Sequence, residues 1–133
     1  MTKIILSHAI VEYNDWGCMS HFNDGSSFGA HPHDTPHYHV ISHRTGYQDD
    51  ILAYAREHEI VHHIVGEYFF GGVSPIIWAL AHGHGVTAEE AAKEEALVML
   101  VQRFLRANER PIIGGINWDE IKHRALEVLG ETA

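Results

Sequence analysis

The chain has 133 residues, 45% of them apolar and 20% charged, with a formal charge of −9 at pH 7. That length suits one hydrophobic core, so a single domain spanning residues 1–133 is expected. With 9 basic residues against 18 acidic ones, the surface is a poor match for nucleic acid or anionic lipid, whose binding rests on Lys and Arg.

Cys18 is the only cysteine, which rules out a disulfide within the chain. The opening MTKIILSHAIVEYND has neither a basic leader nor an apolar run of export length, and no stretch approaches the ~20 apolar residues that span a bilayer. A cytoplasmic protein with no membrane partner is the expectation.

In chain order, residues 3 to 11, KIILSHAIV, suit a strand buried on at least one face. In CMSHFNDGSSFGA, Asp24-Gly25 lies between two short segments and predicts a hairpin turn. The prolines of AHPHDTP mark a loop. Thr35 followed by Pro36 resembles a helix N-cap, and Gly46 a residue just past a helix end, so residues 36 to 45 read as a short helix. Val40 and Ile41 would also suit a strand.

The clearest periodicity follows. Asp49 or Asp50 can cap a helix on which Ile51, Ala55, His58, His62, Val65 and Phe69 recur at steps of four and three, and Gly71-Gly72 ends it. Ser74-Pro75 starts a shorter helix that closes at Gly83. Thr87 and Glu90 have capping-box spacing and open a long helix to about Asn108. Pro111 and Gly114-Gly115 break the chain, and Asn117 can cap a last helix that ends at Gly130. The predicted class is α+β. A small N-terminal antiparallel hairpin or sheet occupies residues 1–30, and a mainly helical bundle fills residues 36–130.

The motif that carries chemistry is H-E-x-x-H: His58, Glu59 and His62. Histidines four apart on a helix project to one side, so both rings can reach one zinc ion. Glu59 then lies near the open coordination position, where it can take a proton from water and pass it to a leaving amine. In a chain with 13 histidines the bare spacing is less telling than usual. Its phase adds weight, because the pair sits on the apolar stripe, where an unpartnered imidazole is costly. The plainer reading is two core histidines satisfied by backbone or carboxylate. His63 points elsewhere and is expected at the surface.

A zinc ligand set needs a third member. On the helix from Thr87, the stripe of Leu97, Val98, Val101, Phe104 and Leu105 projects back onto Glu94 and Glu90, while Glu95 and Glu89 point away. A carboxylate on a buried stripe wants a cation. Glu94 is therefore the expected third ligand, with Glu90 as its partner or substitute, unless the helix dipole alone accounts for Glu90.

With His58-Glu59-Ile60-Val61-His62 on one helix and Glu94 in EEALVMLVQRFL on a following one, the chain resembles the small gluzincin metallopeptidases, loosely the ImmA/IrrE group. The likeness covers residues 50 to 108. It implies a zinc cofactor held by His58, His62 and Glu94, with Glu59 as general base and a peptide or protein as substrate. The metzincin extension is missing, since Val65 and Tyr68 stand where that pattern has Gly and His. No strand precedes the motif helix directly, so only the N-terminal hairpin can line a cleft.

Other histidines leave alternatives open. His31, His33, His37, His39 and His43 crowd one region. His39 and His43 would share a helical face and with His58 and His62 could form an all-histidine site between two helices; that site, or one of His39, His58 and Glu59, would loosely resemble an HD-type phosphohydrolase. The alternative reading of the tract is a solvated loop whose histidines bind nothing specific. His82 and His84 flank Gly83 and offer a further ligand or an oxyanion-stabilising imidazolium, although a histidine there commonly complements a helix C-terminus. Trp78 and Trp118 read as core. A third class is a non-catalytic protein that binds metal or responds to pH through its histidines.

Overall fold

In the computed structural model, residues 2–13, 18–30 and 48–130 are described. The helix expected over 36 to 45, and with it His31, His33, His37, His39 and His43, lies outside the described residues.

Strands β1 (Thr2–Ile5), β2 (Ala9–Tyr13), β3 (Cys18–Phe22) and β4 (Ser27–Ala30) form an antiparallel meander in chain order. The one strand expected across residues 3 to 11 is therefore two. Ile5 pairs with Ile10, and the Leu6 N–H donates to the Ala9 carbonyl at 2.9 Å to close the turn. The turn is hidden in the sequence because Ile4, Leu6, Ala9 and Val11 all face inward, so the apolar pattern continues through it. Asp24-Gly25 does make the β3–β4 turn. Gly25 adopts φ +91°, and the Asp24 carboxylate accepts the Ser26 N–H at 2.9 Å.

Among the described residues four helices follow: α1 (Gln48–Phe69), α2 (Pro75–Ala81), α3 (Ala88–Ala107) and α4 (Trp118–Gly130). The sheet followed by helices gives the α+β arrangement expected from the sequence. The Ser74 hydroxyl caps α2, Thr87 caps α3, and the Asn117 side chain accepts the Glu120 N–H at the start of α4.

α1 packs against β3, α3 and α4. Ile4, Leu6, Val11 and Cys18 of the sheet meet Ile60, Val61, Ile64 and Val65 of α1 in one core, which continues through Val98, Val101 and Phe104 of α3 to Trp118, Ile121 and Val128 of α4. Each such fully buried branched side chain contributes about 1.5–3 kcal/mol. A smaller cluster of Ala9, Phe22 and Ile77 ties α2 to the sheet. α1 is consequently buried on every face from His58 to Gly66. Trp118 is in the core as expected, whereas Trp78 is 41% exposed and stacks on His82 with centroids 4.0 Å apart. Among the described residues, no helix is long and apolar enough to cross a membrane.

Candidate metal centre

His58 and His62 stand one turn apart on α1 and project toward α3. Their Nε2 atoms are 3.2 Å apart. From α3, the Glu95 carboxylate lies across the pair, with one oxygen 3.4 Å from His58 Nε2 and the other 2.9 Å from His62 Nε2. Ligand atoms of the three residues all fall within 4.8 Å of one another, and this His-His-Glu group can hold a metal ion. Two ligands about 2.0–2.1 Å from a tetrahedral zinc are about 3.3 Å apart, which matches the nitrogen spacing here.

The remote ring nitrogens fix which tautomer each histidine adopts. His62 Nδ1 is 2.6 Å from Glu94 Oε2, and that carboxylate also accepts the Ser74 hydroxyl and, at 3.0 Å, the Ile76 N–H. A carboxylate accepting three donors leaves His62 to donate from Nδ1. His58 Nδ1 is 2.6 Å from Gln102 Oε1, again an acceptor. With each Nδ1 committed to an acceptor, a ring that gives up its second proton keeps its lone pair on Nε2, on the side facing Glu95, the arrangement that outer hydrogen bonds impose on metal-binding histidines.

Electrostatics favour positive charge at that point. Burial alone would lower the basicity of His62, but hydrogen bonds to Glu94 and Glu95 overturn it and push the imidazole up to about 10. Burial would raise Glu95, yet its hydrogen bonds with His58 and His62 hold it well below the usual carboxylate range. The attraction that retains a proton between these groups serves a divalent cation equally. Glu59 is 7% exposed. Burial raises its proton affinity, and the nearby charges of His62 and His58 partly offset this. Its charge also bears on Cys18 of β3, so Glu59 sits where the motif helix meets the sheet.

His58 and His62 are brought together as the spacing predicted, and Glu94 lies on the buried face as expected, but Glu95 and not Glu94 faces their Nε2 atoms. Glu94 is fully buried, but it spends both oxygens on His62 Nδ1, Ser74 and Ile76 behind the pair. Glu95, expected to point away, reaches the Nε2 side from the rim of α3, where its side chain is 44% exposed. A carboxylate in the depth of the core finds hydrogen-bond donors, whereas one a step round the helix meets the accessible edge of the rings. Glu90 completes the cap of α3 with Thr87 and takes no part.

His82 is also elsewhere. Its Nδ1 donates to the Trp78 carbonyl at 2.7 Å and its Nε2 to Asp24 at 2.6 Å, which ties the end of α2 to the β3–β4 turn. His84 stacks on Trp78. His39 and His43, which the phosphohydrolase alternative needs, lie outside the described residues.

His63 corrects an expectation outright, because it is fully buried instead of lying at the surface. Its Nε2 is 2.8 Å from Ser20 Oγ and its Nδ1 is 2.9 Å from His8 Nε2. Burial pushes it down to about 3, helped by the charges of His8 and His62, so it is a neutral strut between α1 and the sheet. The Ser-His-His order is that of a nucleophile with its base, but Ser20 is only 1% exposed and offers no approach to a substrate.

The parts that Gln102, Ser74 and Glu95 play at the site do not follow from the motif or the apolar stripe. Gln102 was legible in principle, since it is a polar residue one step from Val101 on the inward side of α3. No known protein family, curated protein or solved structure matches the chain.

Proposed function

We propose that the protein is a zinc-dependent hydrolase acting on a peptide or a similar amide. The observation that carries this reading is the pair of Nε2 atoms 3.2 Å apart, faced by the Glu95 carboxylate, with Glu59 between the two histidines in the H-E-x-x-H spacing. Zinc at such a site is a Lewis acid that acidifies water and polarises a carbonyl oxygen.

The remaining steps belong to the chain. His58, His62 and Glu95 hold the cation, and Glu94 and Gln102 orient the two rings. Glu59 has a proton affinity raised by burial, which suits a base that accepts a proton from water and returns it to the departing amine nitrogen. The resemblance to gluzincin peptidases supports the same assignment, with Glu95 in place of Glu94 as third ligand.

The test begins with elemental analysis of protein purified without a histidine tag. One zinc per chain is expected, lost in His58→Ala and in Glu95→Ala. Glu59→Gln retains the zinc and loses hydrolysis of a casein or mixed-peptide substrate. Wild-type protein without stoichiometric metal, or Glu59→Gln with undiminished turnover, defeats the proposal.

A further inference from the structure

On the reading that His58, His62 and Glu95 hold a cation, we infer that Gln102 is a positioning residue that fixes the tautomer of His58, and that Glu57 and Arg106 set the orientation of its amide. A glutamine side chain has two ends of nearly equal shape and opposite polarity. Only Oε1 toward His58 demands Nδ1–H and so leaves the Nε2 lone pair for a metal. Reversed, the amide would donate to Nδ1, move the ring proton to Nε2 and block coordination.

What decides between the two ends lies one step farther out. Gln102 Nε2 donates to Glu57 Oε1 at 3.0 Å, and Arg106 Nε donates to the same oxygen at 2.7 Å. A carboxylate only accepts, so a reversed amide would bring two oxygens together at that contact. Arg106, one turn beyond Gln102 on α3, also lies 4.8 Å from the centre of the Tyr54 ring, which stacks on His58 with centroids 5.9 Å apart. The guanidinium thus braces both Glu57 and the aromatic face that limits rotation of His58.

The two histidines are oriented by different means. His62 has a carboxylate directly behind it, which has no wrong end. His58 has a neutral amide whose sense is taken from a carboxylate farther out. With Glu94 and Glu95 already on the rings, this spares a third carboxylate in contact with them.

Zinc affinity, measured by competition with a chromophoric chelator, tests the relay in the full-length protein. Gln102→Leu removes the acceptor and is expected to weaken zinc binding about 10- to 100-fold. Glu57→Gln lies outside the ligand set and nearly keeps its shape, but its amide no longer opposes reversal of Gln102. It should weaken zinc in the same direction, by less. In the Gln102→Leu background Glu57→Gln should add nothing.

The decisive variant is Gln102→Glu combined with Glu57→Gln. A carboxylate at 102 accepts from His58 whichever way it is turned, so this double variant should recover at least wild-type affinity. If Gln102→Leu does not fold, the near-isosteric Glu57→Gln and the double variant decide. If wild type binds one zinc and Glu57→Gln binds it equally well, or if the double variant stays weak, the relay is refuted while the metal centre stands. Wild type that binds no zinc removes both.

Discussion

The Cβ that Gly66 lacks would lie 2.6 Å from the carbonyl carbon of Val73, and closer still to the Ser74 nitrogen. Gly66 is in α1, one turn beyond His62, and the chain leaving α1 folds back across it, with the Gly72 N–H donating to the Gly66 carbonyl at 2.9 Å. The bare backbone at Gly66 thereby lets Ser74 reach Glu94, which orients His62. In an ordinary helix interior, alanine would be favoured over glycine by about 1 kcal/mol. Here the clash is with backbone, so Gly66→Ala is expected to destabilise the fold by about 1–3 kcal/mol. Zinc affinity should fall with it, because residues 73 and 74 must move. Urea unfolding and chelator competition on the same variant check both; a stabilised variant would show that the loop shifts without cost.

Glu94 and Glu95 should separate when each is changed to glutamine. Glu94 accepts from His62, Ser74 and the Ile76 N–H. A glutamine there turns one acceptor into a donor in a site with no water-facing edge, at a cost of about 1–3 kcal/mol. Glu95→Gln takes the negative charge from a half-exposed side chain and should cost the metal-free fold less. Zinc binding should rank the other way, with Glu95→Gln the weaker binder. Melting curves without metal and zinc titrations on both variants give the two orders, and matching orders would contradict the division of roles.

The difference between those two carboxylates marks how far the sequence could be read. The periodicity of α3 identifies the inward face, and Glu94 is indeed buried there. Periodicity does not tell which polar group waits at each inward position, and Ser74 with the start of α2 had already supplied donors for Glu94. The 58 to 62 spacing fixed the two histidines because it is local to one helix. His63 was misread since a single apolar stripe assumes one solvated side, and α1 is enclosed by the sheet on the side opposite α3. The Asp24-Gly25 turn was legible from its φ requirement. The turn at residues 6 to 8 has no such residue, and its apolar alternation runs on unbroken.

Ser20 and His63 make a bond whose worth depends on both partners. Ser20→Ala leaves a fully buried ring nitrogen without its partner and should cost about 1–3 kcal/mol. His63→Leu in the same chain removes the unsatisfied atom, leaving only the half-buried His8 to find water. The double variant should therefore be more stable than the sum of the single losses predicts, a coupling that a double-mutant cycle by urea unfolding measures. Strict additivity would mean that the hydroxyl and the ring do not meet in solution.

The pair Asp24 and His82 gives the fold a pH dependence whose sign can be derived. Hydrogen bonds to Asp24 and to the Trp78 carbonyl raise His82 above its ordinary 6.5, and hydrogen bonds from Ser26 and His82 hold Asp24 below its ordinary 3.8. A raised histidine contributes stability fully present below 6.5 and lost as pH climbs through its folded value. A lowered aspartate contributes stability present above 3.8 and lost as pH falls through its folded value. The two overlap between about pH 4 and 6.5. The melting-temperature difference between wild type and Asp24→Asn should be greatest in that window and shrink above it as His82 loses its proton. Added salt should reduce the difference, because both groups meet solvent. NMR titration of the His82 ring supplies the direct check: a midpoint at or below 6.5 in wild type would mean the bond between α2 and the hairpin turn is not formed.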